Sequence, residues 1–499
     1  MATKRTVKSR KAKAGNAEAK ATSSPKGVNS MKVSSLKSFI EKRKSIQSIN
    51  PYTEEVMKEI PLMTRDDIAA QAERSREAFK SWSSRPLSER TGLVKKLGDH
   101  LRADKRKYAE LITKEMGKPI KESLAEIEKC AWLCDYYAEN AGNFLKPEEI
   151  RTENKKSMVL FQPLGVALAI MPWNFPYWQA FRFGIPAVTA GNVILLKHAS
   201  NVPQTALSIE DAFRAAGFPE DVFKTLIIDV KEALNLIDTD QVDAVSLTGS
   251  NAAGEQVGAH AGAKIKKLVL ELGGSDPFIV LDDADVEKAG RTAANARMIN
   301  AGQSCIAAKR FIVMDKAAEE FRTHFIARLK ELKVGDPMDE STDVGPLARR
   351  DLLEALNRQL QDAKKSGAEI VQIGNGAGSK KGFFFSPVAV FNPRLDSKVM
   401  KEEVFGPIAP VVVVKSEDEA VRIANDTEFG LGASIWSRNI DRAEKLAARV
   451  ESGFVAINDS VKSDPRLPFG GVKKSGIGRE LSEYGLKEFV NIKTVVVKE

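Results

Sequence analysis

The chain has 499 residues, 43% of them hydrophobic, and a formal net charge of +9. This length is too great for one hydrophobic core and predicts two or three domains, while the composition excludes a disordered or fibrous protein. Because no stretch approaches the roughly 18 uninterrupted apolar residues of a membrane span, a soluble protein is expected.

The positive charge is confined to residues 1–46, which carry 13 Lys and Arg against two Glu, so the remaining chain has a net charge of −2. The Lys/Ser/Ala composition of this tail favours a disordered, solvated arm. A polyanion-binding arm and an organellar transit peptide are the alternatives, and Met31 offers a later start.

The three cysteines form no disulfide framework, since Cys130 and Cys134 lie four residues apart in a helical pattern and Cys305 stands alone. This favours a reducing compartment and a cytoplasmic location. The four histidines lack the spacing of metal ligands, so no metal site is predicted.

Two amphipathic helices are predicted first along the chain, at about 65–84 and 87–116. Thr64 is the N-cap of the first helix, and Gly117 and Pro119 end the second. Between 158 and 272, short apolar runs alternate with helical stretches. The predicted strands are 165–171, 192–197, 223–228, 244–247 and 267–270. This alternation indicates a parallel, Rossmann-like sheet with crossover helices.

A glycine turn follows the predicted strand 244–247. Gly249 and Ser250, at the N-terminus of the next helix, would present backbone N–H groups to a pyrophosphate. A tight turn with a serine N-cap accounts for the same residues without a cofactor.

A second series of strands and helices begins after residue 273, with strands predicted at 278–281, 310–314 and 410–414. The C-terminal run 491–497 has strand character but no hairpin partner nearby. Such a strand often completes the sheet of another subunit, so a homo-oligomer is predicted.

Cys305 and Glu271 are the strongest candidates for chemistry. A lone thiol is a candidate covalent nucleophile, and a carboxylate flanked by apolar residues and by Gly273 and Gly274 is a candidate base. Together they suggest acyl chemistry.

Six sequence blocks, in this order, resemble the aldehyde dehydrogenase superfamily from about residue 47 to the C-terminus. They are MPWNFP at 171–176, LK at 196–197, LTGS at 247–250, LELGG at 270–274, GQSC at 302–305 and EEVFGP at 402–407. Within the superfamily, LELGGSDPF at 270–278 and FGGVKKSG at 469–476 are similar to succinate-semialdehyde dehydrogenases of the bacterial type.

The resemblance implies an α/β fold with three parts, beyond the basic tail at 1–46. A Rossmann-like cofactor-binding domain would comprise 47–144 and 164–272, and an α/β catalytic domain would comprise 273–475. A small β oligomerisation element would comprise 145–163 and 476–499, in a homodimer or homotetramer.

The resemblance also implies oxidation of an aldehyde to an acid, with succinate semialdehyde as the expected substrate. Cys305 would attack the carbonyl, and the amide of Asn174 with the backbone N–H of Cys305 would stabilise the oxyanion. Hydride transfer would leave a thioester, which Glu271 would hydrolyse by activating water. Ala307 replaces a second cysteine found in some relatives, so no redox disulfide is expected.

NAD or NADP is the implied cofactor. Its expected contacts are Trp173, Lys197, Ser200, Gly249, Ser250, Glu403 and Phe405. Strictly NAD-selecting relatives carry a glutamate three residues after the lysine, where it would repel a 2′-phosphate. Ser200 occupies this place, so NADP is permitted, with His198 and Lys197 close by.

Arg182 and Ser463 are the expected contacts of the substrate's distal carboxylate. Arg182 lies eight residues after Asn174 in an apolar, aromatic segment, and its guanidinium offers a bidentate fork to a carboxylate. Pairing with a structural acid is the alternative.

Other functions stay open at this point. One alternative is oxidation of another aldehyde: glutarate semialdehyde, lactaldehyde or an aliphatic aldehyde. Another is a non-oxidative thiol esterase, which needs no nucleotide. A protein whose main role is interaction through the basic arm is a third reading.

Overall fold

The computed structural model describes residues 45–374 and 381–499. The predictions for the basic arm and for Met31 concern residues that lie outside these ranges, apart from residues 45 and 46. The first of the described strands begins at Ser45 and pairs antiparallel, as Ser45–Ile49, with Val56–Pro61.

The described α-helices, in chain order, are Arg65–Ser83, Leu87–Ala103, Lys105–Met116, Ile120–Phe144, Pro176–Ala190, Pro203–Ala215, Val230–Ile237, Asn251–Ala263, Val286–Met298, Asp315–Glu331, Arg350–Lys365, Lys398–Lys401, Glu417–Asn425, Ile440–Ala447 and Ser482–Lys487. Short 3₁₀ helices are Ile299–Gly302 and Lys473–Ser475. Within the described ranges, no helix combines the length and apolar character needed to cross a membrane.

The helix predicted at 87–116 is two helices. They meet at Asp104, whose φ of −101° and ψ of 16° leave the helical range. Aspartate competes for backbone hydrogen bonds and is a weak helix former, so a break at this residue is physically reasonable. The amphipathic period continues across the break, which is why the pattern indicated one element.

A six-stranded sheet forms the first core. Its strands lie in the order Gly476–Ile477, Lys267–Glu271, Ala244–Thr248, Val166–Met171, Val193–His198 and Phe223–Thr225. All are parallel except Gly476–Ile477, which pairs antiparallel with Lys267–Glu271. The predicted Rossmann-like parallel sheet is thereby confirmed, although the strand predicted at 223–228 ends at Thr225. Strand order reverses beside Val166–Met171, and such a switch point is where ligands bind in doubly wound sheets.

A seven-stranded sheet forms the second core. Its strands lie in the order Glu369–Gln372, Val388–Phe391, Ile408–Val414, Arg310–Met314, Pro277–Val280, Gly432–Trp436 and Phe454–Ile457. Only Glu369–Gln372 is antiparallel to its neighbour. The central strands of this seven-stranded sheet are continuous apolar runs, because helices cover both faces of a parallel sheet.

The C-terminal strand Val490–Val497 does have a partner in its own chain. It pairs antiparallel with Lys156–Pro163, which also pairs with Glu148–Glu149. This partner is not a local hairpin strand, which agrees with the prediction, but it shows that the strand is paired within its own chain. The partner lies far upstream in sequence, so no local hairpin signal could indicate it. The other edge of Val490–Val497 pairs with no strand of the described residues, and the domain limits given above stay a prediction.

A buried ion pair fixes the start of the helix Pro176–Ala190. Lys118 and Glu126 form this pair with side chains 0% and 1% exposed. Glu126 also accepts hydrogen bonds from the backbone N–H groups of Tyr177 at 2.9 Å and Trp178 at 3.0 Å. The carboxylate thus caps the helix that directly follows Asn174, at the favourable end of the helix dipole.

We expect Lys118→Met to lower the free energy of unfolding by about 3–5 kcal/mol, because it leaves the Glu126 carboxylate buried without its cation. Urea denaturation measures this change. As a control, Lys107→Met removes a surface lysine that lies 3.4 Å from Asp104, and its effect should stay below about 1 kcal/mol. Equal effects of the two variants would contradict a structural role for the buried pair.

Candidate active site

Cys305 lies in the loop between the helix Val286–Met298 and the strand Arg310–Met314. The loop reverses direction through three consecutive left-handed residues, Asn300 with φ 51°, Ala301 with φ 54° and Gly302 with φ 77°. A β-carbon at Gly302 would come within 2.4 Å of the backbone of Gly406. This close approach requires glycine and places the cysteine loop against the EEVFGP segment.

Lys309 holds the loop from inside. Its Nζ donates hydrogen bonds to the carbonyl oxygens of Ser304 at 2.9 Å and Cys305 at 2.6 Å. It also lies 3.7 Å from the carboxylate of Glu403. One buried ammonium therefore connects the nucleophile loop with a predicted cofactor residue, and sequence reasoning did not identify it.

The Cys305 thiol is half-buried. Burial raises its pKa to about 12, although the positive charges of Arg182 and Lys309 oppose this shift. The resting thiol is therefore protonated at neutral pH, and attack on a carbonyl requires a base that accepts its proton.

Asn174 follows the strand Val166–Met171 and lies beside the cysteine loop. Its Nδ2 donates a hydrogen bond to the Gln303 carbonyl at 3.1 Å, and its own carbonyl accepts one from Asn300 at 2.8 Å. In the described part of the chain, no group accepts a hydrogen bond from the backbone N–H of Cys305. The second N–H of the Asn174 amide and the Cys305 backbone N–H are therefore the candidate donors of the predicted oxyanion hole.

Glu271 is the last residue of the strand Lys267–Glu271 and is 2% exposed. Its carboxylate lies 3.7 Å from the guanidinium of Arg182. The absence of a side chain at Gly470 leaves room for this carboxylate, because a β-carbon there would come within 2.7 Å of the Glu271 Oε1. Burial raises the pKa of Glu271 well above its usual value, which makes the carboxylate a stronger base.

Arg182 is 1% exposed and forms an ion pair with Glu480. It donates a hydrogen bond to the Thr248 hydroxyl at 3.3 Å and lies over the Phe469 ring, 4.7 Å from its centroid. Its guanidinium thus has two carboxylate partners, Glu480 and Glu271. This is the alternative of a structural acid weighed above, and Glu480 is a site residue that sequence reasoning missed.

Two cavities meet at Cys305. The first has a volume of about 210 Å³ and is called the Lys129 cavity. It is lined by Glu122, Ala125, Glu126, Lys129, Phe175, Trp178, Gln179, Arg182, Ile299, Ser304, Cys305, Ile306, Val461, Lys462, Ser463 and Phe469. The second, of about 250 Å³, is called the Glu403 cavity. It is lined by Pro172, Trp173, Asn174, Gln179, Thr248, Gly249, Ser250, Leu272, Gly273, Cys305, Arg349, Leu352, Glu403 and Phe405. Cys305 therefore borders both cavities.

The Glu403 cavity brings together most of the predicted cofactor contacts. Trp173 and Phe405 meet edge to face, with ring centroids 5.7 Å apart. Glu403 accepts a hydrogen bond from the backbone N–H of Gly274 at 3.0 Å. A β-carbon at Gly273 would come within 2.7 Å of the Glu403 carboxylate. The paired glycines therefore allow this carboxylate to lie at the wall of the cavity, where it suits a ribose diol.

Gly249 and Ser250 lie between the strand Ala244–Thr248 and the helix Asn251–Ala263, at the switch point of the sheet. The Ser250 hydroxyl accepts a hydrogen bond from the Ala253 backbone N–H at 3.4 Å, so it is an N-cap, as one of the two interpretations held. A β-carbon at Gly249 would meet no atom closer than 3.9 Å. Open space at this helix N-terminus fits a pyrophosphate.

Lys197 lies near the carboxyl end of the strand Val193–His198 and Ser200 follows that strand, at the same edge of the sheet but not in the Glu403 cavity. Lys197 is 8% exposed and Ser200 is exposed. His198 is buried, and burial lowers its pKa to about 4. Its Nδ1 accepts from the Ala199 N–H at 2.9 Å, so its Nε2 donates to the Pro176 carbonyl. The His198 ring is therefore neutral and brings no positive charge to a 2′-phosphate.

Known proteins identify the class to which this architecture belongs. Residues 39–495 match the Aldehyde dehydrogenase family, and the chain belongs to that family. A curated relative from Synechocystis, named "Probable succinate-semialdehyde dehydrogenase [NADP(+)]", is 46% identical over 90% of this chain and 99% of its own length. Escherichia coli "Succinate semialdehyde dehydrogenase [NAD(P)+] Sad" is 44% identical over 90% of this chain and 97% of its own.

A solved structure shows the same architecture. Succinic semialdehyde dehydrogenase from Streptococcus pyogenes, in complex with NADP+, superposes with a TM-score of 0.88 at 39% identity. The match covers 91% of this chain and 100% of the other. The protein is an NAD(P)-dependent aldehyde dehydrogenase, as the sequence blocks predicted.

Proposed function

We propose that the protein oxidises succinate semialdehyde to succinate, with NADP as its preferred electron acceptor. The observation that carries this proposal is the position of Cys305 between the Glu403 cavity, which holds most of the predicted cofactor contacts, and the small Lys129 cavity. Pockets for drug-sized ligands measure roughly 300–1,000 Å³, whereas the Lys129 cavity measures about 210 Å³ and suits a short substrate. The names of the relatives support the semialdehyde.

In the first half of the reaction, Cys305 attacks the aldehyde carbon and forms a thiohemiacetal. The thiol proton passes to water, so Glu271 stays free for the second half. Asn174 Nδ2 and the Cys305 backbone N–H stabilise the oxyanion, which gains most from donors already fixed in place. A bound nicotinamide dinucleotide, held by Glu403, Phe405 and the helix that begins at Asn251, supplies the hydride acceptor.

In the second half, Glu271 accepts a proton from a water molecule that attacks the thioester. Its carboxylate approaches Arg182 and Gly470 and lines neither cavity, so it must turn toward Cys305 to act. Arg182 and Glu480 hold it in the resting position. The acid product then leaves, and the Cys305 thiol regains its proton.

Steady-state kinetics test the substrate. We expect kcat/KM for succinate semialdehyde to exceed that for butanal, which has the same four carbons and no carboxylate. Reduced nicotinamide is followed by its absorbance with each nucleotide. Ester cleavage without nucleotide and without aldehyde oxidation would instead support a thiol esterase.

Nucleotide choice depends on Ser200, a neutral residue at the place where strictly NAD-selecting relatives carry a glutamate. We expect Ser200→Glu to raise KM for NADP on the order of 10²-fold, because a like charge faces the 2′-phosphate. KM for NAD should change little. Ser200→Gln is the neutral control of similar size and should keep the NADP kinetics. An equal loss with both nucleotides would contradict this role.

We further propose a homo-oligomer that uses the free edge of the strand Val490–Val497. Ile492 and Val496 there are 60% and 50% exposed, which is unusual for apolar side chains on a long edge strand. Light scattering of the purified protein distinguishes a dimer from a tetramer. A cytoplasmic location stays a prediction.

A further inference from the structure

One face of the helix Ile120–Phe144 lines the Lys129 cavity. Glu122, Ala125, Glu126 and Lys129 follow the spacing i, i+3, i+4, i+7, which places them on one side of the helix. Three of these four residues are ionisable, in a cavity whose other walls are largely aromatic and aliphatic. Charged side chains in such a cavity, beside the candidate nucleophile, suggest that the ligand of the cavity is itself charged.

The cations of this cavity differ in what already neutralises them. Arg182 pairs with Glu480 and Glu271. Lys462 is 66% exposed and lies 2.9 Å from the carboxylate of Asp459. Lys129, by contrast, has no carboxylate oxygen within 4 Å in the described part of the chain. It is the cation of this cavity that has room for an external anion.

The position of Lys129 prepares it for such an anion. Its Nζ donates one hydrogen bond, to the Ser463 hydroxyl at 2.8 Å, and lies 4.3 Å from the centroid of the Trp178 ring. An ammonium has three N–H donors, so two are left for a ligand. The hydroxyl of Ser463 can donate its own proton toward the same ligand. The Trp178 ring limits the position of the ammonium through a cation–π contact.

The acids on the same helix face do not neutralise this cation. Glu126 is occupied by Lys118 and by the two backbone N–H groups at the start of the helix Pro176–Ala190. Glu122 accepts a hydrogen bond from the Asn300 backbone N–H at 2.9 Å, and burial raises its pKa to about 7. A large fraction of Glu122 is therefore protonated at neutral pH, which weakens its repulsion of an anionic substrate.

We infer that Lys129, together with Ser463, binds the distal carboxylate of the semialdehyde, and this inference rests on the function proposed above. Arg182 lines the same cavity and is paired with Glu480, so Lys129 is a second cation near the substrate carboxylate. The carboxylate lies at the Lys129 end of the cavity, while the aldehyde carbon lies at Cys305. Lys129 is thus the residue that distinguishes a semialdehyde from an uncharged aldehyde of equal length.

The ionisation of Lys129 gives a second readout. Burial, followed by the positive charge of Arg182, lowers its pKa to about 8, while Asp464 and Glu126 oppose the shift. The ammonium is present below this pH and is lost above it. Glu122 also faces the cavity and is more fully ionised above pH 7, so it acts in the same direction. KM for succinate semialdehyde should therefore rise above about pH 8, and KM for butanal should not.

The test compares the wild-type enzyme with Lys129→Met and Lys129→Arg, using succinate semialdehyde and butanal. Lys129→Met should raise KM for the semialdehyde about 10- to 100-fold, the value of a charge-assisted hydrogen bond. Its kinetics with butanal should stay close to wild type, which also shows that the variant is folded. Lys129→Arg should recover most of the loss. Lys121→Met is the matched control on the same helix, since Lys121 pairs with Asp343 and does not line the cavity.

The outcomes separate the two proposals. A wild-type enzyme that prefers the semialdehyde, with a Lys129→Met variant that keeps this preference, overturns the role of Lys129 and leaves the proposed function standing. A wild-type enzyme without preference overturns both. Parallel loss of butanal oxidation in the Met and Arg variants also overturns the inference, because it indicates a structural role. Retention of the alkaline rise in KM by Lys129→Met would assign that rise to Glu122 and count against Lys129.

Discussion

Replacement of Cys305 by alanine should lower kcat/KM for aldehyde oxidation on the order of 10⁴-fold or more, since loss of a covalent nucleophile disables the whole catalytic unit. Serine at this position should be nearly as inactive, because its hydroxyl is a far weaker nucleophile without a dedicated base. The measurement is the formation of reduced nicotinamide at saturating nucleotide. Nucleotide affinity, measured by fluorescence titration, should change little.

Cys134→Ala is the matched control for this experiment. Cys134 is fully buried in the helix Ile120–Phe144, and burial raises its pKa well above the usual value, so it is inert. This variant should keep wild-type turnover. Activity retained without the Cys305 thiol would show that the reaction does not pass through a thioester at this sulfur.

Glu271→Gln should separate the two halves of the reaction. Acylation of Cys305 proceeds once in each active site and gives a burst of reduced nicotinamide. Later turnovers should be slower by about 10²- to 10⁴-fold, because water lacks its base. Rapid mixing with absorbance detection resolves the burst from the slow steady state. Absence of the burst would assign Glu271 to the proton of the thiol instead.

The pH dependence of the same variant checks this assignment. Burial raises the pKa of Glu271, so its carboxyl stays protonated at pH values where a free glutamate is ionised. A protonated carboxyl cannot accept a proton from water, so the wild-type steady-state rate should rise with pH as Glu271 ionises. Glu271→Gln has no such group and should lack this rise in the deacylation rate.

The sheet and the placement of the candidate site residues were predictable because both follow from short, local patterns. Apolar runs between helical stretches gave the parallel strands, and Asn174, Glu271 and Cys305 stand in blocks that can be recognised without their partners. The carboxyl ends of adjacent parallel strands lie at one edge, so Asn174, Gly249 and Glu271 had to converge there.

The residues that sequence analysis missed act through contacts between distant segments. Lys129 meets Ser463 across 334 positions, and Glu480 pairs with Arg182 from near the other end of the chain. The periodicity of the sequence within one helix or strand does not indicate contacts between such distant residues. The face of Glu122, Glu126 and Lys129 carried a signal, since ionisable residues recur there at helical spacing, but the pattern alone does not distinguish a cavity wall from solvent.

The two cavities have only Cys305 and Gln179 as common lining residues. Mutations elsewhere in one wall can therefore alter which aldehydes are accepted without touching the surface that receives the dinucleotide, and the reverse holds as well. After gene duplication, copies of this enzyme can change their aldehyde specificity while they keep the same nucleotide cofactor. In directed evolution, the lining residues of each cavity can accordingly be varied in a separate library, provided that Gln179 is kept unchanged.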